Sequence, residues 1–195
     1  MRKKLFAMKY LKYLEERDWD AIDPKLAERQ NAAYRRQLLR LQPRLSKKAW
    51  NYFWLGFAET GIHDARLIAL SAGDGLTRLP RLLGAPNLLS IKAEFLNQNG
   101  KLRFAFSYSQ IKKFSFDFDA TLGAYFIELS GGKYFFDRKH YLKNNHLDHV
   151  LGDELSAVDK TYLRHEFIFA SSARIVVEAA RISLQRKRVQ RLRAR

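Results

Sequence analysis

Along residues 162–184, YLRHEFIFASSARIVVEAARISL, apolar and polar positions alternate with a period of two. Leu163, His165, Phe167 and Phe169 fall on one side and Arg164, Glu166 and Ile168 on the other, as in a half-buried strand. Ala170-Ser171-Ser172-Ala173 is a polar connection of hairpin length, after which Ile175, Val177 and Ala179 resume the alternation. Ile182 and Leu184 continue it in the opposite phase, which predicts a bulge near Ala179-Ala180. A two-stranded ribbon is only marginally stable, so this hairpin predicts a larger sheet or a helix beneath it.

Towards the N-terminus the period changes to that of helices. Over residues 2–16, Phe6, Ala7, Tyr10, Leu11, Tyr13 and Leu14 share one face opposite Lys9, Lys12 and Glu16. Asp23-Pro24 is a start signal, Asp as N-cap and Pro at the first helical position, for a second helix running to about Leu41. On that helix Leu26, Ala33, Tyr34, Leu38 and Leu41 form an apolar sector, and Lys25, Arg29, Arg36 and Arg40 a basic stripe. Pro43 ends it, and Ser46 caps a third, aromatic helix containing Trp50, Tyr52, Phe53, Trp54 and Phe57. So dense an aromatic cluster predicts an anchor of helices on a sheet, with base stacking as the functional alternative.

From Gly61 onward, strands are expected over 62–72 and 88–96, separated by the loop TRLPRLLGAPN, and Asn97-Gln98-Asn99-Gly100 signals a turn. In 101–118, Leu102, Phe104, Phe106 and Tyr108, then Phe114, Phe116 and Phe118, predict two strands joined by a bend or bulge across the polar stretch 109–113. AYFIELSGGKYFFD reads as another hairpin, residues 140–159 as a short helix or loop, and QRKRVQRLRAR as a frayed helical extension or a disordered tail. The expected architecture is a single α+β domain over 1–185, with N-terminal amphipathic helices in 1–58 packed on a mainly antiparallel sheet over 62–184 that ends in the hairpin. A basic tail over 186–195 follows.

Composition agrees and adds one departure. A chain of 195 residues, 47% hydrophobic and 13% aromatic, buries a sizeable single core. The net charge is +16, carried almost wholly by the ends. Residues 1–50 hold 14 Lys/Arg against 6 Asp/Glu, residues 51–178 hold 15 against 14, and residues 179–195 hold 7 against none. Basic ends over a nearly neutral body point either to a solvated surface or to an anionic partner. The phosphate-facing candidates are Lys25, Arg29, Arg36 and Arg40 with Arg186, Lys187, Arg188, Arg191, Arg193 and Arg195.

Without cysteine there are no disulfides, thiolate zinc sites or cysteine nucleophiles, which fits a reducing compartment, and the cytoplasm is expected. The basic N-terminus is interrupted by Lys9 and Lys12 and is not expected to be a signal peptide, and no apolar run is long enough for a transmembrane helix. Histidine supplies the remaining chemistry. His63-Asp64 and His165-Glu166 are adjacent pairs at expected strand positions, where neighbours point to opposite faces, so neither is expected to form an acid–base couple within itself. His165 reads as a hydrogen-bonded core or edge histidine. His146 and His149, three apart near Asp148, Asp153 and Glu154, are a weak metal-ligand candidate that Gly152 interrupts. No phosphate-binding glycine loop, nucleophile elbow or zinc-protease motif is present, so no catalytic residue and no cofactor is assigned.

The helical N-terminus, IHDARLIAL, LRFAFSYSQIKKF and LGDELSAVDKTYLRHEFIFASSARIVVEAARI together resemble a group of uncharacterised bacterial cytoplasmic proteins, some with the layout of immunity proteins that neutralise toxins. The resemblance covers somewhat over a third of the chain. It implies an α+β domain with an antiparallel sheet and brings no catalytic residues, while the basic ends depart from the acidic character of nuclease-neutralising proteins. The expected function is that of a non-enzymatic binding protein of the bacterial cytoplasm with an unidentified protein partner. Nucleic-acid binding through the basic stripe and tail, and an enzyme without a recognisable motif, stand as alternatives.

Overall fold

The computed structural model describes residues 23–55, 61–74, 89–117, 126–129, 133–136, 149–169 and 173–189. The expected helix over 2–16, the loop TRLPRLLGAPN, His146, Asp148 and the tail residues Arg191, Arg193 and Arg195 lie outside them.

Helix α1 (Pro24–Leu41) starts where its sequence signal puts it: the Lys25 amide donates to Asp23 Oδ1 at 3.0 Å, and Pro24 occupies the first turn. A 3₁₀ turn (Gln42–Arg44) containing Pro43 closes it, and the Ala49 amide donates to Ser46 Oγ at 3.3 Å to start α2 (Lys47–Leu55). Only the C-terminal half of the apolar sector of α1 is buried, through Tyr34, Leu38 and Leu41, whereas Leu26 stays 43% exposed. In α2 the buried residues are Ala49, Tyr52 and Phe53.

The strands are β1 (Arg66–Asp74), β2 (Leu89–Leu96), β3 (Leu102–Asp117), β4 (Phe126–Leu129), β5 (Lys133–Phe136), β6 (Val150–Ala157), β7 (Leu163–Phe169) and β8 (Arg174–Arg188). Six of them form one antiparallel sheet in the order β1-β2-β3-β8-β7-β6, and β4 pairs with β5 separately. Two three-stranded meanders therefore meet along the long β3–β8 seam, and β7 with β8 is the expected antiparallel pair.

Several expectations need correction. Residues 102–117 make one strand, not two, because the irregularity is absorbed locally: Gln110 adopts φ 56° and the register with β8 shifts between Ile111 and Lys113. The inward positions pass from Phe106 and Tyr108 to Ile111 on β3, as they pass from Leu184 and Ile182 to Ala179 on β8, so the phase slip read from sequence is shared by both strands. Residues 150–157, expected as helix or loop, are strand β6, buried on both faces. Strand β1 begins at Arg66 rather than at Ile62, because Asp64 has φ 59°, which interrupts extended backbone. Strand β8 continues through Arg188, pairing Arg186 with Phe104, Lys187 with Arg103 and Arg188 with Leu102, so the first residues of the expected tail belong to the sheet.

The sheet is coiled. The Val150 amide donates to the Ala65 carbonyl and the Asp64 amide to the Val150 carbonyl, each at 2.9 Å, which ties the turn just before β1 to the first residue of β6. In a flat sheet these strands would stand five spacings apart, roughly 24 Å at about 4.8 Å each. Curvature also brings the Phe95 ring of β2 to 4.9 Å from the Phe167 ring of β7, although β3 and β8 lie between those strands. The concave side is lined by Phe95, Phe104, Phe106, Tyr108, His165 and Phe167, all buried, and α2 covers it, with Tyr52 5.1 Å from Phe106 and Phe53 5.1 Å from His165. This is the anchoring role expected of the aromatic helix. Helix α1 meets β6, where the Leu155 amide donates to the Tyr34 hydroxyl at 3.0 Å.

On the opposite face of β7, buried Glu166 is held by Arg164 at 2.8 Å and Arg174 at 3.0 Å, and buried Glu94 of β2 is shared by Lys92 and Arg103. Among the described residues no helix is long and apolar enough to cross a membrane.

The β6–β7 turn yields a pH prediction. Asp159 Oδ1 accepts the Tyr162 and Thr161 amides at 2.8 Å each, and Oδ2 accepts Lys112 Nζ at 3.0 Å. The Tyr162 and Thr161 backbone amides, and after them the Lys112 ammonium, hold its pKa down at about 2. A carboxyl whose folded pKa is depressed stabilises the fold fully above the ordinary value near ~4, and that contribution is lost as pH falls through about 2. In an acid titration followed by NMR, the Thr161 and Tyr162 amide signals are expected to move with a midpoint near 2, and a midpoint near ~4 would show that the turn does not hold this carboxylate.

Candidate functional site

The coiled sheet assembles two polar features on either side of Tyr52. The inner one joins four side chains from four elements. His165 Nε2 on β7 lies 2.7 Å from Asp153 Oδ2 on β6, the Tyr52 hydroxyl of α2 donates to Asp153 Oδ1 at 2.9 Å, and the Tyr108 hydroxyl of β3 lies 2.8 Å from His165 Nδ1. With Asp153 accepting on both oxygens, Nε2 donates to Asp153, and Nδ1 shares a hydrogen bond with the Tyr108 hydroxyl. Burial first, and then the Asp153 charge, raises the pKa of both phenols well above the usual value, so both stay protonated.

This chain of Tyr, Asp, His and Tyr has the residue types of acid–base chemistry, but among the described residues it has no opening for a substrate. His165 has no exposed surface, the rings of Phe53, Phe106 and Phe167 stand 4.1–5.1 Å from its own, and both ring nitrogens have internal partners. The cavity beside Asp153, lined by Tyr34, Tyr52, Phe53, Ile62, His63 and Gly152, measures about 10 Å³, room for one water at most. The network fastens α2 and β6 to the middle of the sheet.

The outer feature is an open cleft of about 300 Å³ between α2 and the end of the β3–β8 seam. Lys48, Asn51, Tyr52 and Leu55 line it from α2, with Phe104 from β3 and Leu184 and Arg186 from β8. The Arg186 guanidinium lies 5.9 Å from the Phe104 ring centroid, a cation–π contact that fixes its position. No carboxylate is among these lining residues, and neither Lys48 nor Arg186 has an ion-pair partner among the described residues. Beyond the cleft, Arg188 pairs with Leu102 and Lys187 with Arg103, and the Val189 amide donates to the Lys101 carbonyl at 2.9 Å. Alternation puts Arg186 and Arg188 on the Leu184 side and Lys187 on the other.

Of the basic candidates, Lys25, Arg29, Arg36 and Arg40 are exposed along α1, and Arg29 Nε donates to the Lys25 carbonyl at 3.3 Å. Arg186, Lys187 and Arg188 stand on β8, so the two sets lie on different elements. Lys48 and Asn51, absent from the sequence candidates, enter the site because α2 packs against β8. Their i, i+3 spacing with a wall residue at Leu55 was the available signal.

His165 and Glu166 do point to opposite faces, as expected. His63 and Asp64 do not follow that rule, since they occupy a turn: His63 Nδ1 is 3.1 Å from Asp64 Oδ2, and His149 Nε2 is 3.7 Å from Asp64 Oδ1. His149 immediately precedes β6 instead of lying on a helix, and no group of three or more His, Cys, Asp or Glu among the described residues is arranged to hold a metal ion.

No protein-family model, curated protein or solved structure matches the chain.

Proposed function

We propose that the protein is a non-enzymatic binding protein whose partner is a polyanion, a nucleic acid in the first place. The observation that carries this reading is the cleft in which Lys48 and Arg186 stand without carboxylate partners among the described residues, with Arg188 following on the same face of β8 at the end of the β3–β8 seam. Buried or paired cations are spent on the fold, as Arg164 and Arg174 are on Glu166, whereas unpaired ones gathered at one place are available to phosphates. The closed Tyr52–Asp153–His165–Tyr108 network favours binding over catalysis, because its polar atoms face one another. The cysteine-free composition accords with a cytoplasmic partner.

Fluorescence anisotropy with a labelled oligonucleotide tests this. Binding is expected at low salt, with log K falling linearly in log[salt], and Arg186→Gln combined with Arg188→Gln is expected to reduce the slope by about 0.7–0.9 for each phosphate contact removed. No binding at about 50 mM salt, or a double variant with the wild-type slope, would overturn the reading.

A further inference from the structure

Resting on that polyanion reading, we infer that the cleft takes one unstacked nucleotide of a single strand, so that the preferred ligand is single-stranded rather than duplex nucleic acid. A site for phosphates alone needs only a charged surface. This one has a recess of about 300 Å³ lined by the exposed Leu55 and the largely buried Leu184, Tyr52 and Phe104, with the cations Lys48 and Arg186 among the same lining residues. The volume is at the small end of ligand sites, about 300–1,000 Å³. A duplex keeps its bases stacked and paired and would touch only the rim, whereas a single strand can turn one base into the recess while its phosphates stay on the cations. The Arg186 guanidinium already stands over the Phe104 ring, 5.9 Å from its centroid, so a ligand phosphate meets it there. The Tyr52 hydroxyl is committed to Asp153, which leaves Asn51 as the neutral polar side chain able to meet a base edge with both a donor and an acceptor.

The test compares one oligonucleotide sequence as single strand and as duplex, at fixed salt, on the full chain and on Leu55→Ser and Lys48→Gln. Both positions are exposed, Leu55 at 63%, so both variants are expected to keep the wild-type denaturation midpoint. The wild type is expected to bind the single strand about tenfold more tightly, and Leu55→Ser to remove most of that preference while leaving duplex affinity unchanged. Lys48→Gln is expected to weaken single-strand binding and lower its salt slope. Equal affinity for the two forms with Leu55→Ser silent would overturn the inference while leaving the polyanion reading intact, and binding to neither form would overturn both. Displacement of the oligonucleotide by a polyglutamate peptide of the same charge at equal concentration would also overturn it, in favour of an acidic protein partner.

Discussion

Replacing Asp153 with alanine is expected to lower the free energy of unfolding by about 2–6 kcal/mol, the cost of leaving two buried donors without their acceptor. Asp153 is 9% exposed and accepts from two groups that have no other acceptor, the Tyr52 hydroxyl at 2.9 Å and His165 Nε2 at 2.7 Å. Truncation leaves both donors facing a small apolar void between β6, β7 and α2, each at a desolvation cost of about 1–3 kcal/mol. Since a domain of this kind is stable by only about 5–15 kcal/mol, the variant is expected to be largely unfolded at moderate urea. Tyr52→Phe removes a single donor and leaves Asp153 still bonded to His165, so about 1 kcal/mol is expected from it. Asp153→Asn should fall between the two, because its amide NH₂ must face one of the donors. Urea denaturation of the three variants gives the order. A loss below about 1.5 kcal/mol for Asp153→Ala would mean that the network does not hold α2 to the sheet.

Asp153 also shows why β6 was not visible in the sequence. In VLGDELSA the polar residues Asp153, Glu154 and Ser156 fall on both faces, and Gly152 removes a side chain, so no period of two survives. Asp153 is nevertheless buried because Tyr52 and His165, contributed from 101 residues before and 12 residues after it, complete its hydrogen bonds. Partners so placed leave no local mark. Local signals did fix what is local: Asp23-Pro24 set the start of α1, the Asn97–Gly100 stretch set the β2–β3 turn with Gly100 at φ 69°, and the apolar alternation set β7 and the phase slip of β8. Strand order is not local, because β8 joins β3 across an intervening β4–β5 pair and two further strands.

The same division applies to the site. Arg186, Lys187 and Arg188 stood out by charge, but their reading as the start of a tail failed because a strand rich in Arg and Lys resembles a solvated segment unless its partner, Leu102–Phe104, is known. Lys48 and Asn51 gain meaning only from the packing of α2 beside β8. His63-Asp64 was misplaced because the left-handed Asp64, which turns the chain before β1, is not encoded by a glycine.

Phe106→Ala is the companion to the Asp153 experiment and probes the coil of the sheet itself. Phe106 has no exposed surface, and its ring centroid lies within 6.5 Å of the rings of Tyr52, Phe95, Tyr108, His165 and Phe167, contributed by α2, β2, β3 and β7. Only a sheet curled around that position can bring those elements to one ring. Truncation to alanine is expected to cost about 3–5 kcal/mol, from lost burial and from a cavity that rigid neighbours on several sides cannot close. Phe114 stands on the same strand beyond the irregularity at Gln110 and is 38% exposed, so Phe114→Ala is expected to cost about 1 kcal/mol. Phe106 and Phe167 touch at 5.5 Å, so the double variant should depart from additivity by about 0.5–3 kcal/mol, whereas Phe106 with Phe114 should be additive. Equal losses at Phe106 and Phe114, or strict additivity of Phe106 with Phe167, would mean that the aromatic core is not closed by curvature. The cleft would then lose its floor as well, since Tyr52 and Phe104 are held against each other, 6.2 Å between ring centroids, by the same curl.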